Sequence, residues 1–223
     1  MSWAGRNSLG RVLLALDTAT AAVTVALADG DRVLAERCTV DGRRHGELLA
    51  PAISSVLAEA GVDRRALTRI AVGVGPGPFT GLRIGLVTAR TLGAVLGIPV
   101  VGVCTLDALA LQSGLDGSFR VVTDARRKQV YWAAYVRDGI PRRVEGPHVD
   151  RPSEVAWDGP AVGAGATMYA EWFPDHRGPA HVSATATCAW VVAGLPLLAP
   201  DPLYLRRPDA VERAEQGARR RVL

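Results

Sequence analysis

Asp17 closes a short apolar run, Val-Leu-Leu-Ala-Leu at 12–16, and Thr18-Ala19-Thr20 follow it directly. A carboxylate at a strand end, beside hydroxyls and the backbone N–H groups of a tight turn, can hold a metal-bound phosphate through water. Asp17 and Thr18 are therefore candidate nucleotide-binding residues; an ordinary strand-capping turn has the same composition. Other chemistry is sparse. The four histidines (45, 148, 176, 181) lack the spacing of metal ligands, and no HExxH occurs. Three cysteines (38, 104, 188), odd in number and without a CxxC, suit a reducing cytoplasmic compartment, each acting as a small apolar residue. No Ser/His/Asp arrangement can be assigned. His45 and Glu47 stand where a helix begins and read as capping and dipole-complementing residues. These residues supply neither a catalytic nor a metal site.

The element that positions everything else is the stretch 73–97, GVGPGPFTGLRIGLVTARTLGAVLG. It starts as a strand end and becomes a loop of Gly75, Pro76, Gly77 and Pro78. From there it runs as a helix to Leu96. Within that helix Gly81, Gly85, Ala89 and Gly93 recur at every fourth position, a spacing that makes one nearly straight stripe without side chains. Interior glycine costs a helix about 1 kcal/mol relative to alanine, so close approach of another backbone must offset it. That backbone belongs either to the chain's own sheet or to a second protein. The second reading makes Gly81, Gly85, Ala89 and Gly93 an interface, joined by Leu49, Ile53 and Val56 of the preceding helix. It leaves Ile84, Leu86, Val87, Leu92 and Val95 on the other side to serve the core.

The remaining elements follow in order. Residues 22–28 form a second strand, Asp29-Gly30-Asp31 a hairpin turn, and 32–37 a third strand. A helix over 45–60 is apolar at Leu49, Ile53, Val56, Leu57 and Ala60; it tolerates Pro51 only if it starts close before it. Asp63 caps a short helix to Leu67, 70–74 is a strand, and so is 99–103. Thr105 caps a helix reaching Leu115. The order β-β-β-α-β-α-β-α then returns in weaker form after the break at Asp116-Gly117-Ser118. Strands are expected at 119–123, 130–136, 141–144 (a poorer one) and 161–163, with Ser153 capping a short turn and helices at 167–172 and 184–193. The expected division is a loose leader (1–10), a first lobe (11–115), a reduced second lobe (116–210) and a basic tail (211–223).

Bulk numbers set outer limits. The chain has 223 residues, 48% hydrophobic and 22% charged, enough for a sizeable core. Net charge is +4, carried largely by Arg-Arg pairs such as 43–44 and 126–127. This permits contact with nucleic acid, but an aromatic content of 5% leaves few stacking partners for bases. Nothing resembles a signal peptide or a membrane span.

Several strings in this order resemble the bacterial TsaB/YeaZ family: LALDTATAAVTVAL, HGELLAPAI, VGPGPFTGLRIG, GIPVVGV, DARRKQVY and PLYLRRPDA. The resemblance covers about residues 12–210 and is most specific at VGPGPFTGLRIG. It implies an α/β fold of the actin-like/sugar kinase/Hsp70 (ASKHA) superfamily, two ribonuclease-H-like lobes with the second reduced. It also implies a role in making N6-threonylcarbamoyladenosine (t6A) in tRNA. The family's partners are the TsaD-type paralogue, which holds the metal and transfers the threonylcarbamoyl group, and the TsaE-type ATPase. The subunit itself is non-catalytic, a pseudo-enzyme that activates TsaD as a heterodimer and forms a homodimer when alone. Contact with tRNA comes only through the complex. No cofactor is tightly bound, and ATP or ADP is a candidate ligand at a composite interface. Where TsaD carries its metal-binding histidine pair, this chain has Thr105 and Leu109, which bind no iron or zinc. Where active members of the superfamily have a Gly-rich phosphate turn, this chain has Thr123-Asp124-Ala125-Arg126-Arg127-Lys128, so Arg126 can meet a phosphate only through its side chain. The alternative is a self-sufficient ASKHA-type ATPase or small-molecule kinase in which Asp17 orients the metal-nucleotide. A metallopeptidase is opposed by the missing histidine pair.

Overall fold

A computed structural model describes residues 11–206. The expectations for a leader at 1–10 and a tail at 211–223 lie outside the described residues. The first half contains β1 (Val12–Asp17), β2 (Ala22–Asp29), β3 (Arg32–Val40), α1 (His45–Glu59), β4 (Leu67–Gly73), α2 (Phe79–Leu96), β5 (Val100–Val103) and α3 (Thr105–Ser113). The second contains β6 (Gly117–Asp124), β7 (Val130–Asp138), β8 (Ile140–Asp150), β9 (Ala161–Val162), α4 (Ala164–Met168), β10 (His176–Arg177) and α5 (Ala184–Val192).

The strands make two five-stranded sheets with orders β3-β2-β1-β4-β5 and β10-β9-β6-β7-β8. In each, three antiparallel strands are followed by two parallel ones on the other side of the first strand. The two sheets thus repeat one ribonuclease-H-like topology, as the duplicated element order implies. The second is the reduced copy: β9 and β10 have two residues each, and α4 only five.

β1 explains why the chain needs helices on both faces of its first sheet. Its side chains alternate across the sheet, yet every residue is buried. Val12, Leu14 and Leu16 enter a core shared with α1 and α2. Leu13 and Ala15 enter another, closed by Ala184 and Cys188 of α5. α5 comes from the second half of the chain, so the lobes are interlocked. In return, Leu106 and Leu109 of α3 join Phe119, Val121 and Tyr135 of the second sheet in a third core. The chain crosses between sheets at 114–116, where the break in sequence stands, but the helices on either side of the crossing are shared between the lobes.

Several local expectations need correction. The glycine stripe of α2 is sealed inside the fold. A Cβ at Gly81 or Gly85 would strike the Thr18 carbonyl oxygen or hydroxyl, and one at Gly93 would strike Val100. Ala89, Leu49 and Val56 are fully buried and Ile53 nearly so. Six of the seven residues assigned to an interface therefore bind α1 and α2 to their own sheet; Ile53 packs there too but also lines the groove between the two helices. The reason is steric: only glycine and alanine let α2 approach β1 and β5 this closely. Pro51 lies well inside α1. β8 is an eleven-residue strand, not a short poor one. α4 begins earlier than expected, at Ala164. Arg151, not Ser153, precedes the short helical turn Pro152–Glu154. Thr105 caps nothing: Cys104 is the N-cap of α3, and the threonine hydroxyl is used elsewhere.

Candidate functional site

Asp17 ends β1 fully buried, under the N-termini of α2 and α3. Its Oδ1 accepts from the Ala19 amide at 2.7 Å and its Oδ2 from the Thr105 hydroxyl at 2.8 Å. Thr105 Oγ1 also accepts from the Gly75 amide at 3.2 Å, which ties β1, the Gly/Pro loop and α3 into one knot. Gly73 is required beside it, because a Cβ there would collide with the carboxylate. Burial pushes the Asp17 pKa up to about 6, against the lowering effects of the Ala19 amide, the Thr105 hydroxyl and His45. Thr18 is buried as well and donates to the Gly81 carbonyl at 2.7 Å. The two residues expected to meet a nucleotide thus bond to the chain's own backbone and hydroxyls. Thr105, which sequence reading made a helix cap, is the group that occupies the carboxylate.

Arg126 is placed differently. It lies in the β6–β7 turn, exposed, with its guanidinium beside Gly42 across the gap between lobes. With Thr20, Arg43, His45, Thr80 and Ile84 it lines a cleft of about 220 Å³. Arg126, Arg127 and Lys128 have φ of 61°, 54° and 59°, three consecutive side-chain-bearing residues in the left-handed region. Asp124 holds the turn by accepting from the Arg126 amide at 2.7 Å, and Ala125 and Gln129 close it by backbone hydrogen bonds. Arg and Lys do not favour this conformation, so no local pattern announces it. The structure brings Arg126 to the cleft but leaves Asp17 and Thr18 beneath its floor.

At the start of α3, Asp107 accepts from the Tyr135 hydroxyl at 2.7 Å and lies 3.6 Å from the Arg143 guanidinium. Desolvation raises its pKa despite these partners. Burial pushes the Cys104 thiol, beside Arg143, up to about 12, which disfavours the thiolate that a nucleophile needs. Leu109 is core. Among the described residues no group of three or more His, Cys, Asp or Glu is assembled for a metal.

One apolar surface left uncovered is the outer face of α1 and α2. Sealing the glycine side turns Val87 and Val95 to solvent, at 61% and 77% exposure. Between the helices runs an apolar groove of about 400 Å³, lined by Ala50, Ser54, Leu57, Thr88 and Leu92 among others. The apolar second side of α2 was visible in sequence, but it was assigned to the core; Ala50 and Ser54 gave no signal at all. By length and composition α2 could also cross a membrane, with mean hydropathy 1.2 over 18 residues. Here its glycine side lies on the sheet.

A family model described as "TsaD: tRNA N6-adenosine threonylcarbamoyltransferase" matches residues 33–196. An uncharacterised protein of Mycobacterium leprae is 46% identical over 209 residues, covering 89% of this chain and 56% of that protein. The Bacillus subtilis "tRNA threonylcarbamoyladenosine biosynthesis protein TsaB" is 38% identical over 134 residues, 59% of this chain and 58% of its own. The chain thus spans little more than half the length of these two relatives. A solved structure of YeaZ from Pseudomonas aeruginosa superposes with a TM-score of 0.74 at 31% identity, covering 87% of this chain and all of that one.

Proposed function

We propose that this chain, which belongs to the TsaB/YeaZ family, is the non-catalytic subunit of the assembly that makes t6A in tRNA. It binds and activates a TsaD-type threonylcarbamoyltransferase, and a TsaE-type ATPase joins the pair. The observation that carries this reading is the apolar outer face of α1 and α2, with Val87 and Val95 exposed beside the groove. A patch of this kind on an otherwise sealed helix pair is what a partner helix pair covers. A paralogue with the same fold would offer the same two helices, giving a four-helix contact. The same face also suits a symmetric homodimer when the partner is absent. The engagement of Asp17 by Thr105 and Ala19 supports a subunit without its own phosphate chemistry. Any ATP or ADP would sit at a composite interface near Arg126, tRNA would be met only in the assembled complex, and the protein would work in the cytoplasm.

The docking surface is tested by Val87→Asp with Val95→Asp. The expected result is loss of co-purification with the TsaD-type partner and an unchanged thermal melt, since both side chains project into solvent. Full complex formation by this variant would overturn the assignment of the face. Leucine at Gly85 and Gly93 would test folding instead, because both new side chains would enter the chain's own core.

A further inference from the structure

The segment after α5, residues 195–206, has no role in the reading above, although it contains the PLYLR string. It returns across both lobes as a strap without helix or named strand. Its start is fixed to α5, where the Trp190 indole donates to the Pro196 carbonyl at 2.9 Å. Leu198 then pairs with Gly102 on the edge of the first sheet, N–H to O in both directions, at 2.8 and 2.9 Å. Gly102 is needed for this approach, because a Cβ there would stand 2.5 Å from the Ala199 carbonyl oxygen. The Leu203 amide donates to the Val74 carbonyl at 2.9 Å, and the Leu203 side chain packs against the cores of both lobes.

From there the strap follows α2. Asp201 pairs with Arg90 at 3.4 Å, and Tyr204 stacks on Phe79 with ring centroids 5.1 Å apart. The Tyr204 hydroxyl accepts from Arg83 Nε at 3.1 Å, while the Arg83 guanidinium lies 3.8 Å over the Phe79 ring. Finally Arg206 donates to the Gln129 side chain at 2.7 Å, reaching the left-handed basic turn of the second lobe.

We infer that residues 195–206 form an intramolecular clamp that fixes the two lobes against each other and holds α2 in register, so that a partner meets a preformed docking face. Tyr204 and Arg206 are its positioning residues. The clamp rests in part on the docking role proposed above, through α2. It does a job that ligand contacts from both lobes would do in a two-lobed fold that opens and closes. Preforming the face also lowers the ordering cost of association.

The test uses the full chain with Tyr204→Ala and Arg206→Ala made separately, read by amide hydrogen exchange without any partner. Tyr204→Ala should speed exchange at the first hydrogen-bonded amides of α2, residues 82–86, and Arg206→Ala at residues 129 and 130, each by about ten-fold, with α5 unaffected. Tyr204→Phe, which loses only the hydroxyl, should give the smaller effect at the same amides. Unchanged exchange at both segments overturns the clamp. So does a loss of protection spread evenly over the chain, which marks general destabilisation. Titration with the TsaD-type partner then reads the functional consequence: several-fold weaker binding by either variant at an unchanged melting temperature supports preformation, and wild-type affinity in both overturns it. If the wild-type chain binds no such partner, the docking role fails, and the exchange data alone decide whether the clamp exists.

Discussion

Asp17 carries a charge where the fold offers no water, and its proton equilibrium records that cost. Its pKa rises from 3.8 to about 6 on folding. The folded state therefore holds this proton more tightly than the unfolded state does. The corresponding stability is fully present below the unfolded value and is lost as pH rises through the folded one. Over the window from pH 3.8 to about 6 the loss is bounded at roughly 3 kcal/mol. Asp17→Asn should remove it, so the wild-type minus variant difference in unfolding free energy should fall across that window and stay flat above it. Urea denaturation at a series of pH values checks this; a difference independent of pH would refute the burial argument. The sequence placed Asp17 correctly at the end of a strand, with hydroxyls behind it. It could not reveal that its partner would be Thr105, 88 residues away. Only the apposition of β1 and α3 supplies that hydroxyl.

α2 shows how a well-read helix can be turned the wrong way round. Its start, its end and its small-residue stripe were all legible, because glycine spacing and the left-handed Gly97 after Leu96 are local features. Which side faces the core was not, since one side is small and the other apolar, and either can be covered. The two sides should respond differently to substitution. Gly93→Ala gains about 1 kcal/mol of helix propensity but drives a methyl into Val100, and overpacking of that kind costs about 1–3 kcal/mol. Val95→Ala should change stability by less than about 0.5 kcal/mol, because its side chain meets solvent. Chemical denaturation of the two variants gives the comparison directly. The basic turn was legible as a turn, but its left-handed run was not: Asp124 accepts from the Arg126 amide within it, and Arg206, 77 residues on, bonds to Gln129 at its end.

At the scale of the molecule, the lobes do not correspond to halves of the chain. α5 roofs the first sheet over Leu13, Ala15 and Ala26, and α3 contributes Leu106 and Leu109 to the core of the second. A fragment ending at residue 115 would expose the apolar underside of its sheet. Such a fragment should therefore lack a cooperative thermal transition and bind a hydrophobic dye, and adding the 116–223 fragment should restore the transition. A sharp melt of 1–115 alone would show that the roof is dispensable.

The amino-acid order alone determined the strands and helices of the first lobe, most of those of the second, the repeat of one topology in two lobes and the absence of the histidine pair from the start of α3, for each is written in patterns a few residues long. The tertiary structure decided which surface of α2 stays outside, who satisfies Asp17, which sheet each shared helix covers and where the last dozen described residues go. Those outcomes depend on contacts between groups far apart in the chain. The close approach that glycine permits, and the burial that a two-sided sheet demands, take effect only when those groups meet.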